Sequence, residues 1–266
     1  MAAGPVEHTP RLLDVHGHRG APGLAPENTL AAFRKAIELG VDALEMDLQV
    51  TRDGEVVVIH DETLDRTTDG RGSIADLTLE EVKRGDAGAK FAPAFRGERV
   101  PTLREVIHLV KAGGNDRVRL SLEIKFARGL EGKPEDIEER VLAVLQAAGF
   151  VGRVTVQSFH HSSPAKMKRL DPRIPTGLLV GSRNVPPDPV ARVREFQADY
   201  YAPEYRLVTA DLVQTLHRAG IPLVIWTVND TAEVRRLIGL GVGSLSGDGM
   251  ISDYPDRVLA VLGARR

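Results

Sequence analysis

The chain contains no cysteine, so disulfide bonds, thiolate nucleophiles and cysteine-ligated zinc sites are excluded. It has no excess of positive charge, since 35 basic and 37 acidic residues give a net charge of −2. Nucleic-acid binding through general attraction to phosphates is therefore not expected. No apolar run approaches the roughly 18 residues that cross a bilayer, and the amino terminus lacks the pattern of a secretory signal. We accordingly expect no integral membrane segment and a cytoplasmic location.

The 266 residues, 42% of them hydrophobic, can bury a large core. Short β-type runs alternate with helical segments almost from end to end, which is typical of parallel strands joined by helical crossovers. About eight such units are counted if 43–60 forms one bent or hairpin-like element. This favours a single (β/α)8 TIM barrel over residues 1–266. A doubly wound open sheet is the alternative, but no Gly-x-Gly-x-x-Gly follows the first strand.

Residues 61–101 interrupt the alternation. The segment is rich in Asp, Gly, Arg and Thr, with one short helical signal at 77–84. A connection of this length is usually a lid, a binding loop or an inserted subdomain. We therefore predict an insertion after the second strand region of the barrel.

Two carboxylates stand on a strand that is otherwise apolar. Glu45 and Asp47 are two residues apart within 41–50, so both side chains point to one face of the strand. Buried charges without a partner are costly, so a cation is expected beside them, and a divalent metal is the simplest candidate. His60 ends the next apolar run, and His18 with Arg19 follows the first one. The pattern predicts a site built from a metal and histidines.

Polar residues recur where the predicted strands end. The groups are His18-Arg19, Glu45 and Asp47, His60-Asp61, Glu123 and Lys125, Gln157 to Phe159, Glu204, and Trp226 to Asn229. In a barrel the carboxyl ends of all strands open onto one mouth, where active sites are built. We therefore expect these residues to share that mouth.

With these groups in this order, the chain resembles the glycerophosphodiester phosphodiesterase family. The motifs fall in the family's order and cover about 12–256. They are His18-Arg19-Gly20, Pro26-Glu27-Asn28-Thr29, Glu45-x-Asp47, His60-Asp61, Glu123-Ile124-Lys125, Gln157-Ser158-Phe159 and Trp226-Thr227-Val228-Asn229. The stretches 64–68 and 100–103 resemble the ends of the family's characteristic insertion.

The resemblance implies a barrel in which Glu45, Asp47 and Glu123 bind a divalent cation, with His18 and His60 as the acid–base pair. An oxygen-rich site of this kind suits Mg²⁺ or Ca²⁺. Arg19 and Lys125 are suited to phosphate oxygens. The implied reaction is hydrolysis of a glycerophosphodiester, such as glycerophosphocholine or glycerophosphoethanolamine, to glycerol 3-phosphate and an alcohol. His18 is expected to act as the base and His60 as the acid.

Four further residues complete the predicted site. We expect Asn28 to cap the helix predicted over 27–39, and Glu27 to support the site through a hydrogen bond rather than as a metal ligand. Phe159 and Trp226 are predicted to line the glycerol pocket. The adjacent His160 and His161 are interpreted as solvated loop residues.

Three other functions remain open. A metal-dependent amidohydrolase is suggested by His16-x-His18 and by Asp253 after the last strand, but the strands near 176–180 and 200–203 end without histidine. A lysophospholipase-D-like or phosphoinositide-specific lipid phosphodiesterase on the same fold is the nearer alternative, although 90–96 carries no sustained apolar face. A catalytically silent binding protein is disfavoured by the intact set of site residues.

One stretch departs from the family's pattern. Residues 243–247 are added just before the last predicted strand. We expect them at the amino-terminal end of that strand, away from the mouth of the barrel.

Overall fold

The computed structural model describes residues 13–125 and 136–263. Within these ranges the strands are β1 (Leu13–Gly17), β2 (Ala43–Val50), β3 (Val56–Val58), β4 (Arg119–Ile124), β5 (Val154–Ser158), β6 (Thr176–Val180), β7 (Tyr200–Pro203), β8 (Val224–Ile225) and β9 (Asp248–Ser252). The helices are α1 (Leu30–Leu39), α2 (Leu79–Arg84), α3 (Leu103–Ala112), α4 (Ile137–Ala147), α5 (Ser162–Leu170), α6 (Pro189–Glu195), α7 (Ala210–Arg218), α8 (Thr231–Gly239) and α9 (Pro255–Leu262).

Eight parallel strands form the sheet, in the order β7-β6-β5-β4-β2-β1-β9-β8. The two ends of this series meet, because Tyr201 bridges Leu223 and Glu204 bridges Trp226 in parallel register. The ninth strand, β3, pairs antiparallel with β2. The predicted (β/α)8 barrel is thus confirmed, with 43–60 as the expected hairpin. That all 266 residues form one domain stays a prediction.

The barrel wall separates apolar from polar side chains along β2. Leu44, Met46 and Leu48 are fully buried in the main apolar cluster of the fold. The alternate residues Glu45 and Asp47 face the other way, because successive side chains on a strand point to opposite faces. The apolar face that stabilises the fold therefore forces both carboxylates into the barrel.

The insertion after β3 has a small apolar core of its own. Val57, Ile59, Leu64, Ile74, Val82, Ala87 and Val100 form a buried cluster. The helix α2 begins at a capping box in which Thr78 and Glu81 exchange side-chain and backbone hydrogen bonds. The segment is therefore a packed subdomain on the hairpin and not a structureless loop.

Several predicted strands and helices are shorter in the structure. The strand predicted over 222–228 is only two residues long, and the helix predicted from 207 starts at Ala210, after Thr209 as its N-cap. The helix predicted from 27 starts at Leu30. Residue 12 of the first predicted strand and residue 135 of the helix predicted near 135–148 lie outside the described residues.

The added residues 243–247 lie before β9, at the amino-terminal end of the strand, as expected. The buried carboxylate of Asp248 accepts hydrogen bonds from the backbone N–H groups of Leu223, Gly243 and Leu245. The turn is thereby tied to the floor of the barrel. Among the helices that the structure describes, none is long and apolar enough to cross a membrane.

Candidate active site

Four of the predicted site residues lie just after the carboxyl ends of strands. His18 follows β1, Lys125 follows β4, Phe159 follows β5 and Trp226 follows β8. They line one cavity of about 210 Å³, together with Arg19, Glu45, His60 and Glu123. The structure thus brings together at the barrel mouth residues that are far apart in sequence.

The three predicted metal ligands form a compact cluster. Glu45, Asp47 and Glu123 are all buried, and one oxygen of each lies within 4.8 Å of the others. The register of the sheet explains this, because Asp47 on β2 is paired with Glu123 on β4. Within the part of the chain that the structure describes, Asp47 Oδ1 is buried and accepts no hydrogen bond. A buried carboxylate oxygen that accepts no hydrogen bond and has only an ion pair with Lys125, beside two further carboxylates, fits a divalent cation with oxygen ligands.

The pKa values of the three carboxyl groups are set by their burial and by the charged side chains around them. Burial raises the pKa of Glu45 to about 6, although His18 nearby lowers it. Burial also raises the pKa of Glu123 to about 7, against the effect of Lys125. Burial of Asp47 would raise its pKa too, but Lys125 and Arg19 lower it overall. Three carboxylates therefore share two fixed cations, which leaves a place for a further positive charge.

Arg19 and Lys125 both contact the acidic cluster. Lys125 Nζ lies 2.7 Å from Glu123 Oε1 and 3.3 Å from Asp47 Oδ1. Arg19 Nε lies 3.2 Å from Asp47 Oδ2, and the backbone N–H of Arg19 donates to Glu45. Both side chains also line the cavity. They are placed where an anion entering the cavity would meet them.

His18 is held by an aspartate from the last strand. Its Nδ1 donates to Asp253 Oδ1 at 2.5 Å, and its Nε2 lies 3.9 Å from Glu45 Oε2. Burial alone would lower the pKa of His18, but Asp253 and Glu45 raise it overall. Asp253 is itself fixed by Asn229, whose amide donates to Oδ2 at 2.6 Å. The imidazole is therefore oriented with Nε2 toward the acidic cluster.

His60 reaches the site through the hairpin expected over 43–60, rather than from the carboxyl end of a parallel strand. The strand β3 ends at Val58 and runs antiparallel to β2, so the chain returns toward Asp47, whose carbonyl accepts from the backbone N–H of Ile59. His60 Nδ1 donates to Asp61 Oδ1 at 2.7 Å. Burial lowers the pKa of His60, while Asp47 acts in the opposite direction.

The turn before α1 serves the site in two ways. Glu27 accepts a hydrogen bond from Arg19 Nη1 at 2.9 Å, as expected for a supporting residue. The prediction that Asn28 caps the helix is wrong, because Thr29 is the N-cap and accepts from Ala32. Asn28 instead donates to Asp47 Oδ2 at 2.8 Å from a left-handed backbone conformation. Its side chain is committed to a carboxylate of the cluster.

A wider groove continues outward from this cavity. It measures about 660 Å³ and shares His60, Glu123, Lys125 and Phe159 with the inner cavity. Phe159 and Trp226 pack edge to face at 5.3 Å between ring centres, and Trp226 donates from Nε1 to the carbonyl of Ala202. The two aromatic rings form one wall of the inner cavity, and Phe159 also borders the groove.

Three residues of this site were given no supporting role in it from the sequence. Asp253 was considered only as a possible amidohydrolase ligand, Asn229 only as part of a motif, and Arg66 only within the stretch 64–68. Arg66 lies in the insertion and donates to both Glu27 and Asp61. Their positions at strand ends or in a motif were the available signals, but their partners are remote in sequence.

His16 does not join the site. It is buried with its Nδ1 lacking a hydrogen bond from or to any described group. Burial lowers its pKa to about 4, against the effect of Asp14. Among the described residues, only the acidic triad groups metal-ligating side chains. A histidine-based amidohydrolase centre therefore has no counterpart in the described structure.

Known proteins resemble this chain over nearly its whole length. The model of the glycerophosphoryl diester phosphodiesterase family matches residues 18–257. A glycerophosphodiester phosphodiesterase of Caldanaerobacter subterraneus subsp. tengcongensis is 40% identical over 245 residues, which are 92% of this chain and 96% of that protein. One from Bacillus altitudinis is 35% identical, with 94% and 98% covered. A solved phosphodiesterase structure from Oleispira antarctica, in complex with the product sn-glycerol-3-phosphate, superposes with a TM-score of 0.82 at 29% identity and covers 94% of this chain and 96% of its own.

Proposed function

We propose, from the premise that the chain belongs to the glycerophosphoryl diester phosphodiesterase family and is a phosphodiesterase, that it hydrolyses deacylated glycerophosphodiesters to glycerol 3-phosphate and an alcohol. The observation that carries the proposal is one cavity in which His18 and His60 stand beside a buried cluster of three carboxylates and two cationic side chains. Such a set serves proton transfer and phosphate binding together. Glycerophosphocholine and glycerophosphoethanolamine are the first substrates to test.

Glu45, Asp47 and Glu123 are the residues that would hold a divalent cation, Mg²⁺ or Ca²⁺. When bound, the cation polarises the phosphoryl group and offsets the negative charge that develops on its oxygens. Arg19 and Lys125, which both line the cavity, bind and orient the phosphate. The aromatic pair Phe159 and Trp226 packs against the carbon chain of the glycerol and excludes water from it.

The placement of the two histidines supports separate tasks. Of the two cavities, His18 lines only the inner one, whereas His60 lines both the inner one and the outer groove. With the glycerol in the inner cavity, His18 takes the proton from the glycerol 2-hydroxyl or from water as its oxygen bonds to phosphorus. His60 gives a proton to the alcohol oxygen as the bond between phosphorus and that oxygen breaks. In the route through the 2-hydroxyl, water then opens the cyclic phosphate with the two proton transfers reversed.

The test is a coupled assay for glycerol 3-phosphate with a panel of glycerophosphodiesters and a lysophospholipid. Chelator should abolish turnover, and added Mg²⁺ or Ca²⁺ should restore it. H18A and H60A should lose turnover while metal binding stays nearly intact, whereas H108A, which alters an exposed histidine on α3, should match the wild type. If none of the substrates releases glycerol 3-phosphate with any metal, the proposal is refuted. A preference for the lysophospholipid would replace it by the lipid-directed alternative. Labelling with solvent ¹⁸O, and a search for cyclic phosphate, would separate the two routes.

A further inference from the structure

Arg66 joins two parts of the site that are far apart in sequence. Its Nε and Nη2 donate to the two oxygens of Asp61 at 2.7 and 2.9 Å. Its Nη1 and Nη2 donate to the two oxygens of Glu27 at 2.8 and 2.7 Å. The guanidinium group therefore makes a two-pronged contact with each carboxylate, which only its planar fork of donors allows.

Each of these carboxylates also contacts a residue of the proposed machinery. Asp61 Oδ1, which accepts from Arg66, also accepts from His60 Nδ1. Glu27 Oε1, which accepts from Arg66, also accepts from Arg19 Nη1. One continuous series of hydrogen bonds thus runs from Arg19 to His60 through Arg66.

The backbone that carries Arg66 is anchored in the insertion. Leu64 and Thr68, on either side of Arg66, are both buried, and Thr68 donates from its hydroxyl to the carbonyl of Leu64. Glu27 lies in the turn that leads into α1. The backbone that carries Arg66 is therefore anchored, and its partner Glu27 stands on a turn before a helix. The Arg66 side chain itself is 48% exposed.

We propose that Arg66 is a positioning residue for His60: anchored on Glu27, it fixes the Asp61 carboxylate, and Asp61 fixes the imidazole of His60. This inference rests on the proposed function. It also gives the insertion a task, which is to complete the support of the proton donor.

Fixing Asp61 decides which imidazole nitrogen of His60 faces the substrate. An ionised Asp61 accepts from Nδ1–H of His60, so Nε2 is the nitrogen that faces the substrate. Arg66 hydrogen bonds lower the pKa of Asp61 to about 2, so the carboxylate stays charged. Without Arg66 the carboxylate can turn, and the imidazole turns with it. Proton delivery to the departing alcohol then becomes the step that suffers.

Two substrates separate this role from a merely structural one. Choline leaving from glycerophosphocholine needs a proton, whereas nitrophenolate leaving from the p-nitrophenyl ester of glycerol 3-phosphate departs without one. R66M should lower kcat on glycerophosphocholine by about 10- to 100-fold and on the nitrophenyl ester much less. R66K should behave like R66M, because an ammonium group cannot fork onto two carboxylates. R84M is the matched control, since Arg84 lies in the same insertion and pairs with the exposed Glu80. It should match the wild type on both esters.

A second set of variants tests the path of the effect. D61N should show the same preference for the nitrophenyl ester, and D61N/R66M should lose no more than D61N alone, because both act through one hydrogen bond. Guanidinium ion added to R66G should restore part of the lost rate on glycerophosphocholine. As a control for stability, R66M should melt near the wild-type temperature. Equal losses on both esters, additive losses in the double variant, or no loss at all would overturn the inference. If the wild-type enzyme cleaves neither ester, the proposed function fails instead.

Discussion

Asp253 Oδ1 lies 2.5 Å from Nδ1 of His18, although the two residues are 235 positions apart in the chain. The carboxylate fixes the imidazole tautomer and stabilises the protonated ring, as acidic partners of catalytic histidines do. Asn229 donates to the other oxygen of Asp253, so both carboxylate oxygens are held by side chains of the protein. Because Nδ1 is bonded to Asp253, Nε2 is the nitrogen of His18 that can exchange a proton, and its orientation is fixed.

D253N should therefore lower kcat by about 10²- to 10⁴-fold, the usual range for the loss of general acid–base catalysis. The amide preserves the shape of the side chain but removes the charge that stabilises the imidazolium. Steady-state kinetics measure the loss, and NMR titration should give a lower pKa for His18, because its hydrogen bond to Asp253 raises it. D230N is the control, since Asp230 only caps α8 and asparagine caps equally well. An unchanged kcat would remove Asp253 from the mechanism.

E123Q should stabilise the metal-free protein at high pH. The pKa of Glu123 is raised to about 7 from an ordinary value of 4.5, so between these values the unfolded state holds fewer protons than the folded state. The free energy of unfolding thus falls as pH rises through this window, by on the order of 3 kcal/mol for this group.

Urea unfolding with chelator present should find E123Q more stable than the wild type at pH 8 and similar to it at pH 4.5. Added Mg²⁺ or Ca²⁺ should stabilise the wild type and have little effect on E123Q, because ligand binding stabilises only the protein that binds it. Greater instability of E123Q at pH 8 would contradict this account. E38Q, which changes an exposed glutamate on α1, provides the control.

Asn28 and Thr29 are adjacent but should give different phenotypes. T29A removes the N-cap of α1 and should cost about 1 kcal/mol of stability without changing metal affinity. N28A removes the hydrogen bond to Asp47 and should weaken metal binding by about 10- to 100-fold. Calorimetric metal titration and thermal melting of the two variants measure both quantities. Loss of metal affinity in T29A alone would reverse the assignment.

His16 should make the protein sensitive to mild acid. Its pKa is lowered to about 4 in the folded state by burial, so between pH 6.5 and 4 the unfolded chain takes up a proton that the folded chain does not. The free energy of unfolding should therefore fall by about 2 kcal/mol from pH 7.5 to pH 5 through this residue. H16Q should lose that part of the pH dependence in urea unfolding with chelator present. Identical slopes for the two proteins would disprove it.

Patterns within short stretches predicted the barrel and the acidic cluster correctly. The alternation of Leu44, Glu45, Met46 and Asp47 requires the carboxylates to share the inner face, whatever the rest of the chain does. Strand ends likewise predicted that His18 and Lys125 would meet.

Contacts between remote residues could not be predicted in the same way. Asn28 and Thr29 are both good N-cap residues, and only the nearby Asp47 decides which one caps. Arg66 lies in the stretch 64–68 that resembles one end of the family's insertion, but its partner Glu27 is 39 positions away, and nothing in that stretch predicts the contact. A hairpin over 43–60 was expected, but the approach of His60 to Asp47 depends on the antiparallel register of β3 with β2, which the sequence does not give.

The pairing of β1 with β9 has a consequence for the synthesis of the protein. During synthesis the three residues of the acidic cluster have all been made by residue 123, yet the aspartate that hydrogen-bonds His18 is made 130 residues later. The hydrogen bond between Asp253 and His18 can form only when the first and last strands meet, so the direction of the imidazole depends on closure of the barrel.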